Sequence, residues 1–188
     1  MTLPDLPDLS VHLRPTQLTD LDFVLTAERH PDNAPYINQW MIEQHQSAIA
    51  SPDEGHFIAE IAKTSGSQTP GSQTPVLQLP ATSPVGYIIL TGLQDPHQTL
   101  LLRRIVTVEK GKGYGRQMLR WVKAFTFDQL GYHRLWLDVV ASNQRAKKLY
   151  LSEGFVIEGT LREAYKHSQG YKDMLILSVL ATDSAIGH

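Results

Sequence analysis

The chain has 188 residues, 41% hydrophobic and 19% charged, with a formal net charge of −2, proportions that suit one globular domain with a substantial core. Cysteine is absent, which excludes disulfides, zinc–thiolate sites, iron–sulfur clusters and a cysteine nucleophile. No run of about 18 apolar residues is present to span a membrane, and the segment Met1-Thr2-Leu3-Pro4-Asp5 lacks the basic and apolar regions of a secretory signal, so the expected location is the cytoplasm.

In chain order, a proline-bearing leader (1–10) precedes an extended run, Val11-His12-Leu13-Arg14, that stops at Pro15. Thr19-Asp20 offers an N-cap to a helix whose apolar face is Leu21, Val24, Leu25 and Ala27. Pro31 and Pro35 end that helix, and residues 37–49 read as a second helical stretch closed by Ser51-Pro52. His56-Phe57-Ile58-Ala59-Glu60-Ile61 reads as a strand. Residues 63–84 contain Gly66-Ser67-Gln68-Thr69-Pro70, repeated at once as Gly71-Ser72-Gln73-Thr74-Pro75. This composition predicts a flexible low-complexity insert in a hairpin connection, tolerated because loop length costs little free energy.

Strands are predicted over 85–90 and 100–108, separated by the turn residues Asp95-Pro96. The glycine-rich turn Gly111-Lys112-Gly113-Tyr114-Gly115 then opens a helix with Met118, Leu119, Val122, Phe125 and Leu130 at helical spacing and Gly131 at its end. The strand Arg134 to Val140 follows, then a helix from Asn143 to Glu153 closed by Gly154. Two final strands, about Phe155 to Tyr165 and Lys172 to Leu180, flank the turn Ser168-Gln169-Gly170. The pattern predicts one α/β (mixed α+β) domain over residues 1–188, with a central mixed sheet and a βαβ crossover.

The net charge hides a division: residues 103–172 carry +8 and residues 1–102 carry −8. The basic part reads either as an anion site or as solvated helix faces. A glycine-rich turn between strand and helix favours the first, because free amides and the helix dipole converge there on phosphate oxygens. The spacing fits neither the Walker loop nor the dinucleotide G-x-G-x-x-G form. The eight histidines show no H-E-x-x-H or H-x-x-x-H spacing, so no metal site is expected, and no G-x-S-x-G elbow occurs. Nothing indicates nucleic acid or membrane as a partner.

Val108-Glu109-Lys110-Gly111-Lys112-Gly113-Tyr114-Gly115-Arg116 resembles the acyl-CoA loop of the GNAT superfamily of N-acyltransferases, Gln/Arg-x-x-Gly-x-Gly/Ala. Lys110 stands where that family prefers Gln or Arg, and keeps the charge without the planar fork. The second block, from Asn143 to Phe155, resembles the family's Asn-x-x-Ala/Ser-x-x-Leu/Phe-Tyr-x-x-x-Gly-Phe, with Asn143, Ala146, Leu149, Tyr150, Gly154 and Phe155 in place. The chain is similar to the ribosomal-protein alanine acetyltransferases and related small-amine enzymes.

The resemblance implies a GNAT fold with an acyl-CoA-binding core over 103–155 and a V-shaped opening between its central strands. It implies acetyl-CoA as co-substrate, held by backbone groups of Ile105, Val106 and Val108, by the loop Lys110, Gly111, Lys112, Gly113, Tyr114, Gly115 and Arg116, and by Asn143, Ala146 and Tyr150. Arg145, Lys147 or Lys148 would meet the 3′-phosphate. Tyr150 would protonate the departing thiolate. Asp138, at the strand position where the alanine acetyltransferases carry a proposed base, would deprotonate the amine, with Glu109 as second choice. The expected reaction is direct acetyl transfer to a primary amine of a small molecule or a protein N-terminus. The negative half would supply the acceptor groove and favour a cationic amine. The same fold also admits a non-catalytic acyl-CoA sensor or a structural partner module, and homodimers are common in the family.

Overall fold

The computed structural model describes residues 10–62, 82–167 and 170–184. The leader up to residue 9, the tandem repeat and residues 168–169 of the last turn lie outside the described residues. The strands are β1 (Val11–Pro15), β2 (Glu54–Ala62), β3 (Thr82–Thr91), β4 (Thr99–Thr107), β5 (Arg134–Val140), β6 (Val156–His167) and β7 (Gly170–Leu180). They form one seven-stranded sheet in the order β1-β2-β3-β4-β5-β7-β6. All neighbours are antiparallel except β4 and β5. Ala62 pairs with Thr82, so β2 and β3 are antiparallel neighbours, and Thr82, Ser83 and Pro84, expected within the insert, belong to β3.

The parallel pair follows from its connection. The helix α3 (Tyr114–Ala124) returns the chain across the sheet between β4 and β5, as a parallel crossover must. Its apolar face, Met118, Leu119, Trp121 and Val122, is fully buried on the sheet. Trp121 stacks on Phe125 with ring centroids 5.0 Å apart, and Phe57 of β2 meets Trp121 at 5.2 Å; each such aromatic pair contributes about 0.5–1.5 kcal/mol beyond its buried area. The α-helical pattern expected to run to Leu130 instead widens into a π-turn over Phe125–Gln129, closed by Leu130 N donating to Phe125 O. Thr126 is the local cause: its hydroxyl donates to Val122 O at 2.7 Å, competing with the backbone ladder.

On the opposite face, α1 (Leu21–Arg29) and α2 (Ile42–Ala50) cover β2, β3 and the end of β4. Two expectations change here. Asp20 occupies the N-cap of α1 but makes no side-chain cap bond; its carboxylate takes the Arg14 guanidinium at 2.7 and 2.9 Å and the Gln17 amide at 2.8 Å. Residues 37–41 are not helical, and α2 starts only at Ile42. The Trp40 amide donates to Glu28 Oε2 at 3.0 Å, which draws this stretch away from a helix and into the wall of a cavity. Among the described residues the other α-helices are α4 (Gln144–Ser152), whose Leu149 approaches Gly115 of α3, and the short α5 (Ala181–Ser184), with 3-10 turns at Leu18–Asp20 and Ala34–Tyr36.

Two irregularities in β4 position the site. Its pairing with β5 covers only Thr99↔Arg134, Leu100↔Leu135 and Leu101↔Trp136, after which the strands separate. The register with β3 also shifts between Ile89 and Leu90, which pair with Arg104 and Leu102, so Arg103 is the extra residue of a β-bulge. The bulge places Arg103 and Arg104 on the same face, toward Trp40, at 6.0 and 4.7 Å from its ring.

Candidate active site

The separation of β4 and β5 opens a cavity of about 790 Å³, walled by residues 31–40 on one side and by α4, β6 and β7 on the other. It brings together Ile105, Lys110, Gly115, Asp138, Asn143, Arg145, Ala146 and Tyr150 from the residues expected from sequence. Val106, Val108, Glu109, Gly111, Lys112, Gly113, Tyr114, Arg116, Lys147 and Lys148 do not line it.

The glycine loop reaches the cavity only through Lys110 and Gly115. Gly111 and Gly113 both have φ of +79°, and Gly113 is the left-handed N-cap of α3. That conformation suits glycine. It leaves the Tyr114 and Gly115 amides at the helix start without intrahelical acceptors, while Arg116 N turns back to Gly113 O at 3.1 Å. Together with the helix dipole, these amides make an anion cradle. The Val108 amide is engaged elsewhere, donating to Val85 O at 3.0 Å.

The basic side chains divide into employed and open groups. Lys110 folds back to donate to Asn33 Oδ1 and, at 2.7 Å, to Thr107 O, so it pins the loop to the 31–40 wall. Burial, reinforced by Arg145, lowers its pKa from the ordinary lysine value. Arg116 and Arg120 both pair with the buried Glu153, and Lys123 donates to the Glu153 carbonyl at 2.9 Å. These bonds tie α3 to the C-terminus of α4. Arg145 faces the cavity and has no ion-pair partner among the described residues.

Asn143 caps α4: its Oδ1 accepts from Ala146 N at 3.2 Å. Tyr150 lies one helical turn past Ala146, 6% exposed, with its ring 5.8 Å from Phe155. Burial, and secondarily the charge of Asp138, raises its pKa well above that of an ordinary phenol. Asp138 alternates on β5 with the buried Leu137 and Val139 and faces the cavity. Although Asp138 is solvent-accessible, partial desolvation within the cavity raises its carboxyl above the ordinary carboxylate value, against the opposing effect of Arg103.

Below the cavity lies a polar chain that the sequence reading missed. Glu28, 1% exposed, accepts from Tyr87 Oη at 2.6 Å, from the Trp40 amide and from Arg104, and lies 3.2 Å from His45 Nε2. His45 Nδ1 meets His56 Nε2 at 3.1 Å, and His56 Nδ1 meets the Thr16 hydroxyl at 2.8 Å. Burial pushes the Glu28 carboxyl up, but His45, Arg104, Tyr87 and the Trp40 amide together hold it below the usual range. Burial, with His45 and Arg104 nearby, pushes His56 down to about 3. One signal was available: Glu28 sits seven residues after Leu21 and four after Val24, on the apolar face of α1. Of the acidic side chains among residues 10–62 and 82–102, only Asp32 lines the cavity.

A model described as the acetyltransferase (GNAT) family matches residues 20–155. A spermidine N(1)-acetyltransferase from Vibrio cholerae is 29% identical over 97 residues, covering 51% of this chain and 56% of that protein; the chain thus matches little more than half the length of that curated relative. Among solved structures, the spermidine N-acetyltransferase of V. cholerae in complex with CoA and spermine has a TM-score of 0.76 at 21% identity, over 94% of this chain and 98% of the other. A chimera of the V. cholerae enzyme with hSSAT has a TM-score of 0.76 at 20% identity, over 95% and 99%. Likeness at these identities is likeness of fold.

Proposed function

Since the chain belongs to the GNAT acetyltransferase family, we propose that it transfers acetyl from acetyl-CoA directly to a primary amine in a ternary complex. The observation that carries this reading is the convergence of Gly115 at the first turn of α3, Asp138 and Tyr150 on one cavity at the separation of β4 and β5. The pyrophosphate binds at the first turn of α3, and Arg145 meets a phosphate at the cavity rim. The pantetheine arm lies along β4, which brings the thioester between Asp138 and Tyr150.

Asp138 removes a proton from the acceptor ammonium, and the neutral nitrogen attacks the thioester carbonyl. As the tetrahedral intermediate collapses, the carbon–sulfur bond breaks and Tyr150 donates its phenolic proton to the departing thiolate. Both roles suit the environments described. A carboxyl with a raised pKa is a stronger base, and a phenol with a raised pKa stays protonated until the thiolate develops beside it. The nitrogen, left with one proton too many by the attack, gives it to solvent; Tyr150 is reprotonated from solvent, Asp138 releases its proton there, and the amide product and CoA leave.

Two measurements test the proposal. Calorimetry with acetyl-CoA should show saturable binding, and thiol release should depend on an added amine. Binding without amine-dependent release, across small amines and peptides with free N-termini, would remove the transferase assignment.

A further inference from the structure

The cavity lining also includes Ile37, Trp40, Leu161 and Met174, together with Arg103 and Arg104. The two arginines are adjacent on the same face because of the β4 bulge, yet their states differ. Arg104 is spent: its guanidinium pairs with Glu28, donates to Asn38 O at 2.7 Å and stacks 4.7 Å from the Trp40 ring. Arg103 is held only at its stem side, where Nε donates to Thr91 Oγ1 at 2.8 Å. Among the described residues its two terminal nitrogens have no partner, and no ion pair joins it to Asp138.

A guanidinium anchored at Nε presents its terminal N–H groups in a fixed orientation, the geometry that receives a carboxylate. Of the carboxylates of the N-terminal half that could attract a polycation, Asp20 and Glu60 hold Arg14, Asp53 accepts from the Gln94 amide, and Glu28 is sealed beneath Arg104. Asp22, Glu43 and Glu54 do not line the cavity, and Asp32, which does, lies toward Lys110 on the cofactor side. We propose that the acceptor is an amino carboxylate with an apolar side chain, its carboxylate received by Arg103 and its amine presented to Asp138. The inference rests on the transferase reading and specifies its substrate class.

The experiment compares matched pairs that differ only in the carboxylate, leucine against isoamylamine and phenylalanine against phenethylamine, with spermidine as a polycationic third arm. Thiol release is read as kcat/KM for the wild type, Arg103→Gln and Arg103→Lys. The carboxylated member of each pair should be favoured at least about tenfold by the wild type, since a site built around a polar group rejects the analogue lacking it. Arg103→Gln should bring that ratio close to one, and Arg103→Lys should leave it in between. Because the ratio is taken within one protein, any effect of the substitution on Asp138 or on folding cancels. Equal rates within the pairs, or spermidine as the best acceptor, would overturn the amino-carboxylate assignment while leaving acetyl transfer standing. Absence of turnover with every amine would overturn both.

Discussion

Tyr150 and Asp138 are separable by what each removes. On the proposed mechanism, replacing the Tyr150 hydroxyl takes away the proton for the thiolate while its ring packing against Phe155 remains. Tyr150→Phe should therefore lower kcat about 10²-fold or more, with the calorimetric affinity for acetyl-CoA nearly unchanged; a loss of affinity instead would assign Tyr150 to binding. For Asp138 the sign of the shift sets the expectation. A carboxyl with a raised pKa loses its proton only above the ordinary range near pH 4. Activity should accordingly rise with pH through that displaced value, and the limb should vanish in Asp138→Asn. The places of both residues, on β5 and α4 facing one cavity, agree with the strand and helix read from sequence because those elements have strong, short-range signals; their roles came from the family resemblance. Lys110 was legible only as a charge. That its ammonium turns back to Asn33 depends on a segment 77 residues away, a relation that spacing along the chain does not encode.

The elements were read well wherever a local cause sufficed, as at the glycine turn of α3 and the Asn143 cap of α4. They were misread where a distant side chain decided. Residues 37–40 have helical periodicity, but the Glu28 carboxylate captures the Trp40 amide and the segment becomes a wall. The β4 bulge was likewise invisible, since it is a property of the pair with β3. That pair is unusually tight at Gly86, where an added Cβ would sit 2.2 Å from Val106 O and 3.1 Å from the Met118 side chain. The backbone cannot yield there without parting β3 from β4. Gly86→Ala should lower the melting temperature by several degrees or prevent folding, and chemical denaturation should report the loss; Gly111→Ala, with open space around its Cβ, should cost only the strain of its positive φ.

At the scale of the whole molecule, charge is used in three ways: α3 is clamped to α4 through Glu153, a buried chain runs from Thr16 to Arg104, and the open cations Arg103 and Arg145 face the cavity. The nearly balanced total conveyed none of this, because partners are chosen by the fold. The buried chain makes stability depend on pH. His56 has a folded value of about 3 and an unfolded value near 6.5. The unfolded chain therefore binds the extra proton between those limits, and stability falls as pH drops through the window, by about 2 kcal/mol at pH 5. Thermal unfolding should show this decline from pH 7 to pH 5, and His56→Gln should flatten it.

The early parting of β4 and β5 gives the sheet an edge in its interior. Edge strands ordinarily invite another chain to pair with them, and here the walls at residues 31–40 and on β6 restrict who can enter. On the proposed reading, the β4 amides that face away from β3 would receive the amides of the pantetheine arm of CoA, and the co-substrate would act as a removable piece of the sheet. Adding acetyl-CoA should slow hydrogen exchange along β4 beyond Leu102 and along the end of β5, leave β1 and β2 unchanged, and raise the melting temperature in proportion to the logarithm of its concentration. Under the proposed transfer, the sheet would reach its full complement of strand contacts only while it holds the molecule that the reaction consumes.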